Sequence, residues 1–111
     1  MYKISIKPLS VNAAWQGRRF KTEEYKNYEV FLFYLLPETI KLPKTKKVKL
    51  ILKFGVSSKL ADIDNPVKPF IDILQKRYGF NDKQIYRLEV EKKIVEKEQE
   101  YIEFELSPFV V

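Results

Sequence analysis

The chain has 111 residues with no histidine and no cysteine, and 21 Lys and Arg against 15 Asp and Glu give a formal charge of +6. The two absences exclude Ser-His and Cys-His nucleophilic catalysis, disulfide frameworks and thiolate zinc sites. They leave carboxylates, lysine, tyrosine and hydroxyls, with a hard, oxygen-loving cation as helper.

The length fits one domain over 1–111, and a 45% hydrophobic content suffices for one core. No stretch reaches the ~20 apolar residues of a membrane span. The start, Met1-Tyr2-Lys3-Ile4, alternates and lacks a signal peptide's apolar run, so the expectation is a cytoplasmic protein without a membrane partner. Residues 1–59 hold thirteen bases and four acids, residues 60–111 eight bases and eleven acids. The basic half suits nucleic acid, although charge alone equally serves solubility.

In chain order, Tyr2, Ile4 and Ile6 alternate with Lys3, Ser5 and Lys7, a strand closed by Pro8. Residues 9–21 read as a loop. Thr22 caps a helix whose stripe is Tyr25, Tyr28, Leu32, Leu35 and Leu36, stopped by Pro37. Val48, Leu50, Leu52 and Phe54 have the period of a second strand, with Lys47, Lys49 and Lys53 on its solvated side. Asn65 suits an N-cap and Pro66 the first position of a second helix, striped by Val67, Phe70, Ile71, Leu74 and Tyr78 and ended by Gly79. Ile85–Val95 and Tyr101–Leu106 read as a hairpin in which Leu88, Val90 and Ile94 face Ile102, Phe104 and Leu106. The order β-α-β-α-β-β predicts an α/β (α+β) fold, a small mixed four-stranded sheet with two main helices.

All four aspartates lie between residues 62 and 82, and all eleven glutamates lie outside that stretch. In an extended segment Asp62 and Asp64, two apart, point to one face. Asp82 follows the intervening helix, so the three carboxylates can converge on Mg²⁺, which takes carboxylates, waters and phosphate oxygens. Lys68 lies in the first helical turn and Asp72 four residues on. Lys68 there suits the charge of a phosphoryl transition state, or simply pairs with Asp72. The bland reading of the aspartates is helix caps and turns. An EF-hand is excluded, because counting from Asp62 puts Val67 at the glycine position and Ile73 at the glutamate position. Trp15, Arg18 and Arg19 around Gly17 suit stacking and phosphate contacts, while a lone Trp more often staples a loop to the core.

Asp62-Ile63-Asp64-Asn65-Pro66-Val67-Lys68, Phe70-Ile71-Asp72-Ile73-Leu74 and Gly79-Phe80-Asn81-Asp82-Lys83-Gln84-Ile85 together resemble the RusA family of Holliday junction resolvases, small endodeoxyribonucleases frequent in bacteria and prophages. Pro8-Leu9-Ser10-Val11-Asn12 and Gly17-Arg18-Arg19 are similar to its N-terminal loop. The resemblance implies that Asp62, Asp64 and Asp82 are catalytic metal ligands, that Lys68 is the essential lysine and that Asp72 is secondary. It further implies Mg²⁺ dependence with Mn²⁺ able to substitute, a homodimer, and paired nicks in a branched, four-way DNA. Asn12, Trp15, Arg18, Arg19, Lys21 and Lys59 are the expected DNA contacts. Ser57 to Ala61 carry one basic residue where many relatives carry several, which moves the expected grip toward the Arg18/Arg19 loop or weakens it. The rival expectations are a DNA- or RNA-binding protein without turnover, and an interaction module whose aspartates are only caps.

Overall fold

A computed structural model describes residues 1–16, 20–40, 42 and 46–110, with the backbone alone at 15, 16 and 20. Strand β1 (Tyr2–Ile4) is followed by a single helical turn α1 (Val11–Ala14) and the two-residue strands β2 (Trp15–Gln16) and β3 (Phe20–Lys21). Helix α2 (Glu23–Leu35), strand β4 (Val48–Val56) and helix α3 (Val67–Tyr78) come next. A 3₁₀ turn at Asp82–Gln84 leads into β5 (Ile85–Ile94), and β6 (Tyr101–Pro108) ends the sheet. The architecture is the expected α+β. The segment read as plain loop also holds α1 and a small β2–β3 ladder.

The sheet order is β1-β6-β4-β5, with β5 parallel to β4 and the other pairs antiparallel. The expected β5–β6 hairpin is therefore not formed. Both strands pair with β4 instead: Leu50 lies between Leu88 and Leu106, and Leu52 between Val90 and Phe104. β4 is the strand best able to hold the centre, because Val48, Leu50, Leu52 and Phe54 are all buried. A hairpin would have left one of its edges open. The opposite face alternates in charge, with Lys53 registered between Glu91 and Glu103.

Tyr25, Tyr28, Leu32 and Leu36 of the α2 segment and Phe70, Ile71, Ile73 and Leu74 of α3 join those strand residues in the core. Phe70 meets Phe54 and Phe104 edge-on, with ring centroids 6.3 and 5.5 Å away. Leu35, expected in the stripe, is 50% exposed. The 25-28-32-36 spacing already fills the inward face and leaves position 35 on its flank. Thr22 caps α2 as expected, its hydroxyl accepting from the Tyr25 N–H at 3.2 Å. Gly79 ends α3 at φ +73°, where a side chain would be strained.

Candidate active site

The site forms where the N-terminal turn of α3 and the Asp82 turn approach the start of β5. The segment before α3 is not extended. Asn65 N–H donates to the Asp62 carbonyl at 3.3 Å and Val67 N–H to the Asp64 carbonyl at 3.1 Å, so Asp62 and Asp64 sit on turns. The two-residue strand argument for their shared direction thus fails. Pro66, with its fixed φ, occupies the cap position of α3. Asn65 is therefore not the cap, and no side-chain cap bond exists there. Capping α3 is therefore not the duty of Asp62 or Asp64, while their place on turns agrees with the other half of the bland reading. The turn is held from two sides: Val11 N–H donates to the Asn65 carbonyl at 2.8 Å, and Lys92 Nζ to the Ala61 carbonyl at 2.7 Å.

The Asp82 turn is pinned more fully. Asn81 Oδ1 accepts from Lys83 N–H at 2.9 Å, and Gln84 Oε1 accepts from Asn81 N–H at 3.0 Å. Gln75 of α3 accepts the Asp82 N–H at 2.9 Å. These bonds fix the Asp82 backbone against α3, so its side chain is presented to Lys68.

Lys68 is the centre of the arrangement. Its Nζ lies 2.9 Å from Asp72 Oδ1 and 3.8 Å from Asp82 Oδ2. Asp72 is the less exposed partner, 19% against 48% for Asp82. The hydrogen bond to Asp72 is the largest influence holding the Lys68 pKa above the ordinary lysine value; burial opposes it, and the charges of Asp72 and Asp82 add to it. Lys68 is therefore a fixed cation, suited to neutralising phosphoryl charge and unsuited to accepting a proton.

Lys68 overhangs an open, largely apolar hollow. One lobe, about 290 Å³, includes Ile63, Asp64, Val67 and Val90. The other, about 350 Å³, includes Asp82, Ile85 and Tyr86. The lobes share Lys68, Ile71 and Leu88. Asp64 and Asp82 thus border one depression on either side of Lys68, while Asp62 is exposed on the turn beyond it. Among the described residues no three acids are grouped closely enough to hold one ion. The expected convergence of Asp62, Asp64 and Asp82 is accordingly not seen in this conformation.

Of the expected DNA contacts, Arg18 and Arg19 lie outside the described residues, and Trp15 is described only in its β2 backbone. Asn12 is on α1, and Lys59 is exposed in the turn after β4. Lys21 lies over the Tyr25 ring, 4.4 Å from its centroid, on the α2 side. Sequence reading passed over Gln75, Lys92 and Tyr86. The signal for Tyr86 was present: Ile85 and Leu88 are three apart, which breaks period two, and both line the hollow.

Aspartates and one lysine held between two of them, with no histidine in the chain, are groups suited to phosphoryl chemistry when a divalent cation is bound. The family model described as Endodeoxyribonuclease RusA matches residues 6–105, and the chain belongs to that family. It is by that membership an endodeoxyribonuclease. No curated protein matches the chain.

Proposed function

We propose that the protein resolves four-way DNA junctions by paired nicks in a divalent-metal-dependent reaction. The observation that carries this reading is Lys68, held by Asp72 and Asp82 at a depression that Asp64 also borders. In a family of DNA-cutting enzymes, such a cation beside acids fits a phosphodiester better than a folding role does. Asp62, Asp64 and Asp82 offer only hard carboxylate oxygens, the donor type that Mg²⁺ and Mn²⁺ take, so the residues fit the ion in chemistry. When bound, the ion would polarise a phosphoryl oxygen and supply an acidic water. Lys68 neutralises charge on the phosphoryl group, and Asp72 keeps Lys68 aimed.

A junction presents two equivalent strands, so a two-fold pair of copies places one site on each. The exposed face of α2, with Val30, Phe31, Tyr34 and Leu35, is the better candidate for the contact. The C-terminal tail is the weaker candidate, because Phe109 is already stacked on Tyr86.

The test is cleavage of an end-labelled four-way junction, with Mg²⁺ or with chelator, beside a linear duplex of matched sequence. Paired nicks are expected only on the junction and only with the ion. Asp64→Asn should abolish nicking while junction binding stays largely intact, since one charge is removed with little change of shape. Cutting by that variant at the wild-type rate would sink the metal assignment. Binding without nicks by the native protein would favour the non-catalytic reading.

A further inference from the structure

A site built only for a sugar-phosphate backbone has no use for an exposed apolar floor, yet one adjoins Lys68. Ile63, Leu88 and Tyr86 are all exposed there, beside Asp64, Lys68 and Asp82. Leaving such surface in water is unfavourable relative to burying it. Tyr86 is 59% exposed although it lies near the start of a strand.

Its position has a specific cause. Val48 registers with Ile85 and Lys49 with Arg87, so Tyr86 is the extra residue of a bulge in β5. The bulge lets Ile85 and Leu88, three apart, both reach the hollow and turns Tyr86 out of the ladder beside them. The ring is also braced. It stacks on Phe109 at 6.4 Å and 16°, and Lys47 Nζ lies 4.7 Å from its centroid. Phe109 is tied back by its N–H to the Lys47 carbonyl at 2.8 Å, and Gln84 Nε2 donates to the Lys46 carbonyl at 3.0 Å. A flat ring with Lys47 over it and an apolar floor beside the cation Lys68 match one chemical unit, an unstacked base attached to its phosphate.

We propose that the Tyr86 hollow receives an unstacked base of the strand being cut, next to the cleaved phosphate, and that Tyr86 is a positioning residue that sets where the nick falls. This rests on the junction-cutting reading above. Bases inside a duplex offer only their edges to protein, so a base entering the hollow has left the stack, as the centre of a branched DNA permits. The hollow therefore contributes shape selectivity beyond phosphate attraction.

The experiment is single-turnover cleavage of one junction, intact or carrying an abasic residue on either side of the nick, by native protein and by Tyr86→Ala and Tyr86→Phe. Tyr86→Ala should slow cleavage on the order of tenfold to a hundredfold and spread the nicks over neighbouring positions. Tyr86→Phe should cut as native protein does. At one of the two positions the abasic residue should slow native protein by a similar factor and leave Tyr86→Ala almost unaffected, since ring and base then act as one interaction. Tyr86→Leu, which keeps the bulk and loses the flat ring, replaces Tyr86→Ala if that variant unfolds on heating before the others.

Equal rates and nick positions for native protein and Tyr86→Ala, or losses that multiply, would overturn the base pocket while leaving the junction-cutting reading intact. Native protein that nicks no junction would overturn both.

Discussion

Asp72 is the residue on which the character of Lys68 depends. The lysine side chain is 57% exposed, so without its 2.9 Å partner it would point into solvent like other helix lysines. Because its folded-state pKa is raised, the stabilisation the pair gives is complete below the ordinary value of 10.5 and disappears as pH climbs past the raised value. Lys68 thus keeps its charge throughout neutral pH. Asp72→Asn should bring the Lys68 titration, followed by NMR of its Nζ, down toward the ordinary value. Cleavage should fall about 10- to 100-fold with the unfolding temperature nearly unchanged, the cost of losing an orienting partner. A variant with full activity would remove Asp72 from the site.

Among the elements, β4 and α3 carry the constraints that place the site. Gly55 of β4 lies opposite Tyr101 of β6, and a Cβ at that position would collide with the Tyr101 ring. The ring is buried and Lys3 lies over it at 4.4 Å, so it has little room to retreat. Gly55→Ala should destabilise the fold by about 1–3 kcal/mol, read from urea unfolding.

At the end of α3, Tyr78 donates its hydroxyl to the Pro37 carbonyl at 2.7 Å and ties this helix to the chain leaving α2. Burial pushes its pKa up to about 12 from 10.0, against the charge of Arg77. The stability it contributes is therefore complete below pH 10 and is lost as pH rises toward 12. Tyr78→Phe should cost about 1 kcal/mol at neutral pH and flatten stability over that alkaline window.

On the scale of the whole molecule, charge and an uncovered helix face act together. On the proposed reading, a protomer of +6 should bind DNA with a steep salt dependence, and two joined copies should steepen it. Tyr34, 86% exposed, stands on α2 with Phe31 and Val30, an apolar patch that a neighbour would cover. Phe31→Glu with Tyr34→Glu should give a monomer by light scattering, with a shallower salt slope for junction binding. A dimer that persists in this variant would place the contact elsewhere.

How much of this was legible in the sequence follows from the range of each interaction. Local rules determined the Thr22 cap, the Gly79 stop, the stripe of α3, that of α2 apart from Leu35, and the clustering of all four aspartates around one helix. Each depends on neighbours within a turn or two, which spacing alone reveals. Only the tertiary structure decided that β5 and β6 flank β4, since the alternation of Leu88 and Val90 fits a hairpin and a parallel neighbour equally well. It likewise decided that Asp62 and Asp64 sit on turns, because backbone bonds across Asp62–Val67 and the anchors from Val11 and Lys92 outweigh any local preference for extended chain. Lys68–Asp72 is one helical turn and was readable. Lys68–Asp82 depends on Gln75 holding a turn seven residues away, a bond between elements that no periodicity encodes.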